Sequence, residues 1–113
     1  MEQGKTTVAP EVLFTIARLT TLEVEGVSRL SPVPAAINRL FKRGFGEGVV
    51  IDVQENTVSA DIYVILENDV NIREVSRSIQ RSVARAISEM VGMQVGRVNI
   101  HIEDIDYAKE GGD

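Results

Sequence analysis

From Val49 to Leu66 apolar and polar side chains alternate with a period of two. Val49, Ile51 and Val53 are offset from Val50, Asp52 and Gln54, and Val58, Ala60, Ile62, Val64 and Leu66 from Ser59, Asp61, Tyr63 and Ile65. A strand turns successive side chains to opposite faces, so the pattern predicts a hairpin with one apolar and one mostly wet face. Glu55-Asn56 supplies the tight turn, because Asn tolerates positive φ. The period then becomes helical. Ile72, Val75, Ile79, Val83, Ala86, Ile87 and Met90 recur at steps of three and four, within about 60° of one direction at 100° per residue. Asn71 is placed to cap this helix, Glu74 follows three residues on, and Gly92 ends it. In a last strand Val98, Ile100 and Ile102 face inward and Arg97, Asn99, His101 and Glu103 outward. The acidic tail, Asp104 to Asp113, is expected to fray, above all over 106–113, as are residues 1–7.

The first half is less regular. Pro10 and Glu11 suit the first turn of a helix over about 10–24, although Ala9 is a weak cap. Val12, Ile16, Leu19 and Thr20 define its apolar stripe, Phe14 falls off that stripe, and Gly26 terminates the segment. Val27 to Leu30 reads as a short edge strand. Ser31-Pro32-Val33-Pro34 is a break, since each proline pushes its predecessor out of the helical region. Ala35 to Arg43 then predicts a short amphipathic helix carrying Ile37, Leu40 and Phe41 on one side. Gly44-Phe45-Gly46-Glu47-Gly48 is a flexible exit. It is no phosphate loop, because it precedes a strand and carries Glu47 where an anion would sit.

These elements assemble in one way. The strand–helix–strand unit crosses over right-handedly and sets the last strand parallel to the second hairpin strand, or one position removed. Each long helix has one apolar stripe and the sheet one apolar face. The fold class is therefore α+β: a two-layer sandwich with both main helices on one face of a three- to four-stranded mixed sheet, in a single domain over residues 1–113. The opposite face, with Asp52, Asp61, Tyr63, Asn99 and His101, is expected to be bare.

Composition narrows the chemistry. There are 12 basic and 17 acidic residues, a net charge of −5, with 43% hydrophobic residues. Cysteine is absent, which excludes disulfides, thiolate metal sites and cysteine nucleophiles. Tryptophan is absent and aromatics are 4%, which argues against a base-stacking sheet and hence against nucleic acid as a partner. No apolar run approaches the roughly 18 residues of a membrane span, and the start lacks a signal-peptide layout. One histidine, His101, stands beside Asn99 and Glu103. It reads as an ordinary outward-facing side chain, since a triad or metal site needs more converging groups. No catalytic, cofactor or metal residue is assigned, and the protein is expected not to be an enzyme.

Two basic groups stand out as partner-binding candidates. Arg73, Arg77, Arg81 and Arg85 follow each other at i,i+4 and run from about 100° to 220° on the wheel, opposite the apolar stripe. Arginine is a good helix former on any solvated face, and Glu89 and Glu74 are near enough to pair with the row. Like charges one turn apart nevertheless repel by a few tenths of a kcal/mol each, so the row suits an acidic counter-surface. Arg39, Lys42 and Arg43, interleaved with Leu40, Phe41 and Phe45, have the make-up of a surface-seeking segment too short to hold a membrane alone.

The order and spacing of Pro10-Glu11-Val12, Ile16-Ala17, Glu23-Val24-Glu25-Gly26-Val27, Gly48-Val49, Tyr63-Val64, Asn71-Ile72 with Glu74-Val75, and Val98-Asn99-Ile100-His101-Ile102 resemble the alkaline-shock, or Gls-type general stress, proteins. The resemblance covers about residues 8–105. It departs at Ala9, where serine is common, and in the Arg39–Gly46 insertion. It implies a non-enzymatic bacterial protein of the envelope stress response that needs no cofactor. The expected partners are further copies of itself and a membrane-anchored relative, so that a cytoplasmic chain meets the membrane only peripherally. A role in control of fatty-acid synthesis, or a small nucleic-acid-binding domain, are the alternative readings.

Overall fold

The computed structural model describes residue 4 and residues 6–37 and 48–107. The elements are α1 (Pro10–Leu22), β1 (Val27–Leu30), β2 (Val49–Gln54), β3 (Thr57–Glu67), α2 (Ile72–Val91) and β4 (Gln94–Asp106). Each boundary has a local cause. Pro10 opens α1 behind Ala9, whose side chain makes no cap bond. Asn71 caps α2, its Oδ1 accepting the Glu74 N–H at 3.0 Å, and Gly92 closes it in the left-handed region. Glu55 and Asn56 both take positive φ, at 50° and 67°, the turn that joins twisted antiparallel strands.

β3 is the middle of the sheet. β4 runs parallel along its whole length on one edge, while β1 and β2 lie end to end, both antiparallel, on the other. The Ser31 N–H donates to the Tyr63 carbonyl and the Tyr63 N–H to the Gly48 carbonyl, both at 2.8 Å. One residue of β3 thus holds both sides of the break where the chain leaves the sheet after Ser31 and rejoins it at Gly48. Both helices cover the same face, as the two apolar patterns require. Val58, Ala60, Ile62, Val64 and Leu66 lie buried beneath Val75, Ile79, Val83 and Ile87 of α2 and Leu13, Phe14, Ile16 and Ala17 of α1.

Three expectations are corrected. α1 stops at Leu22, two residues early, and of the expected stripe buries Ile16 alone. Leu13, Phe14, Ala17 and Thr21 are inside, whereas Val12 and Leu19 are 45% and 51% exposed. Two apolar stripes about 100° apart compete along this helix, and the one containing small Ala17 lets α1 approach α2 and the sheet closely. Asp104, Ile105 and Asp106 belong to β4 and not to a tail, held by pairing with Ile65, Leu66 and Glu67. Of the expected 35–43 helix, residues 35–37 are helical and the remainder lies outside the described residues, as do most of the glycine-rich exit and residues 108–113.

Two substitutions test this packing. At Gly48 (φ +78°) a Cβ would stand 2.8 Å from Leu30 Cβ and 2.9 Å from the Ser31 carbonyl oxygen, whereas at Gly92 (φ +73°) it meets nothing within 4 Å. Gly92→Ala should therefore cost about 1 kcal/mol of urea-measured stability, the conformational term alone, and Gly48→Ala at least about 2 kcal/mol. Thr21 Oγ1 is buried with no hydrogen-bond partner among the described residues. Thr21→Val should leave stability unchanged or raise it by about 1 kcal/mol, and a loss would mean the hydroxyl is satisfied after all.

Candidate interaction surfaces

α2 is amphipathic because every third or fourth residue enters the core. Its opposite face carries Arg73, Arg77, Arg81 and Arg85, all exposed. Arg85 Nε meets Glu89 Oε2 at 3.3 Å, an exposed i,i+4 pair worth about 0.3–0.5 kcal/mol. Arg73, Arg77 and Arg81 form no ion pair among the described residues. Arg39, Lys42 and Arg43 lie outside the described residues.

The sheet face away from the helices is not bare. Tyr63 and Ile65 are only 5% and 8% exposed, although alternation turns them away from the core. The parallel register sets Tyr63 beside His101 and Asp61 beside Asn99. The His101 ring stacks on the Tyr63 ring, with centroids 4.4 Å apart and 12° between planes. Its Nε2 lies 2.8 Å from Asp61 Oδ1, which also accepts the Asn99 side-chain amide at 3.2 Å. His101 is therefore no free-standing surface residue. Burial pushes the Tyr63 phenol above its ordinary 10.0, and the carboxylates of Asp61 and Glu103 act in the same direction. The cluster offers a flat, polar, partly desolvated plate. The described residues hold no group of three or more metal-ligating side chains.

A further contact escapes sequence reading. Asp106 Oδ2 accepts from Ser28 Oγ at 2.7 Å and lies 3.0 Å from Arg29 Nη1. The carboxylate at the end of β4 thereby reaches across β3 to β1, tying the two outer strands. Only the three-dimensional register discloses such a pair, 78 residues apart in the chain.

Residues 1–107 match the model of the alkaline shock protein 23 family, whose described function is cell envelope-related. The chain is 37% identical over 103 residues to the uncharacterized protein Spy1535 of Streptococcus pyogenes, covering 90% of this chain and 79% of that one. It is 29% identical over 106 residues to the uncharacterized protein YqhY of Bacillus subtilis, covering 92% and 78%. Among solved structures it is similar to the MamM CTD at a TM-score of 0.53 and 10% identity, over 85% of this chain and 99% of that one, a likeness of fold alone. No helix among the described residues is long and apolar enough to cross a membrane.

The buried phenol has a pH consequence. A folded-state value above the unfolded one means that the native state holds this proton more tightly. The stability it contributes is full below pH 10 and lost as pH rises through the folded value. In the Tyr107→Phe variant, which leaves Tyr63 as the one tyrosine, ultraviolet titration should give a midpoint above 10, with stability falling over the same range. A midpoint at or below 10 would contradict the burial.

Proposed function

The chain belongs to the alkaline shock protein 23 family, and on that premise we propose that it is a non-enzymatic protein of envelope homeostasis that works through protein–protein contacts, self-association among them. The observation that carries this reading is the arginine row: three of four guanidinium groups stand exposed and without ion pairs among the described residues, on a chain of net charge −5. Such a row is stabilised by an acidic surface laid against it, because each neighbouring pair of like charges is then screened. The chain reaches the envelope by docking this face on a membrane-anchored partner. Asp61, Tyr63, Asn99 and His101 act as a structural plate, since the Asp61 carboxylate takes both His101 and Asn99 and the His101 ring stacks on Tyr63.

The test is complementation in a deletion strain. Wild-type protein should recover with the envelope fraction and restore tolerance to envelope stress. Arg77→Glu/Arg81→Glu should lower the envelope-bound share by about tenfold or more, a change of about 1.4 kcal/mol in affinity, and lose the tolerance. His101→Ala should complement like the wild type. An arginine variant that fractionates and protects normally, or a His101→Ala variant that folds but fails, would overturn the reading.

A further inference from the structure

We propose that the outer edge of β4 pairs antiparallel with the same edge of a second copy, about a twofold axis through Ile100. The inference rests on the self-association in the preceding reading and adds the surface that performs it.

β4 is the sheet's long edge. β3 occupies one side of it, and no strand of the described residues pairs with the other. A row of unpaired backbone donors and acceptors is a template for another strand unless it is interrupted. β4 is interrupted twice, and the positions matter. Between the Val58–Val95 and Ala60–Val98 pairs it contains one residue more than β3, and again between Val64–Ile102 and Ile65–Asp104. The first bulge ends at Arg97 and the second is at Glu103. What remains between them is a regular five-residue edge, Val98 to Ile102, centred on Ile100 and bounded by a cation at one end and an anion at the other.

That arrangement is self-complementary. An axis perpendicular to the sheet keeps the helices of both copies on one side, and opposed residues must then share a face, so the axis falls on a residue. Centred on Ile100, it sets Arg97 against the second copy's Glu103, Val98 against Ile102 and Asn99 against His101, each twice. Moving the axis to Asn99 places Arg97 against His101, and moving it to His101 places Arg97 against Ile105. In either case Glu103 faces no cation. Arg97 and Glu103 are both exposed and form no ion pair within the chain among the described residues. Ile100 and Ile102, turned to the core face, are only half-buried at this edge, and a second sheet would cover them. The Val98 carbonyl accepts the Gln80 side-chain amide at 2.9 Å, which occupies one of its two lone pairs and leaves the other.

Charge exchange tests the register. Sedimentation of the full chain over a concentration series should show a dimer. Arg97→Glu opposes two carboxylates twice and Glu103→Arg two cations twice, so each alone should raise the dimer dissociation constant by about tenfold or more. The double exchange Arg97→Glu/Glu103→Arg restores both pairs at the original net charge and should dimerise like the wild type. An equimolar mixture of the two single variants should form a heterodimer, which a general electrostatic effect would not produce. Native circular dichroism for each variant separates loss of pairing from loss of fold. A wild-type chain that is monomeric throughout overturns both this seam and self-association. A dimer that survives both single exchanges overturns the seam and leaves the wider reading standing.

Discussion

The structure depends on β3 being enclosed on three sides. Its two edges are bonded along their length by β4 and by β1 with β2, and its inner face lies under both helices. A slip of one residue would turn Val58, Ala60, Ile62, Val64 and Leu66 out into solvent and bring Asp61 beneath the helices, which no compensating contact offsets. Register is therefore fixed by burial, and it places every surface discussed above. The backbone groups of Tyr63 that hold Ser31 and Gly48 are part of the same constraint. They let the chain make an excursion from the middle of an edge without losing the edge.

Because both helices take one face, the molecule presents two surfaces of different character. The outer side of α2 is an exposed row of guanidinium groups. On the far side of the sheet Asp61, Tyr63, Asn99 and His101 hold one another through hydrogen bonds and a stacked pair. The family to which the chain belongs has a cell envelope-related function.

The hairpin and α2 are legible from the sequence because each keeps one period without competition, although Val53, Ile72 and Met90, which that period sets on the apolar faces, are exposed at the ends of their elements. Glu55-Asn56 and Asn71 act locally and are legible for the same reason. The layer arrangement follows from counting apolar faces. α1 is not read correctly, because the stripe of Val12 and Leu19 and the stripe of Leu13, Ala17 and Thr21 are both apolar enough, and only the partner helix decides between them. Alternation says which face Tyr63 and Ile65 occupy and nothing of their depth, so their burial is invisible before the neighbouring strand is placed. Asp106 reads as part of an acidic tail because its partners, Ser28 and Arg29, lie at the other end of the chain. The arginine row is legible from spacing alone, since four exposed positions on a helix require no tertiary information.

Native-state hydrogen exchange measures the central constraint directly. If β3 is the element on which the others depend, the amides from Ala60 to Leu66 open only with the whole molecule, with free energies equal to that of global unfolding by urea. Exchange of these amides at a lower free energy than those of α1 and α2 would show the helices persisting without the strand, and would contradict the account.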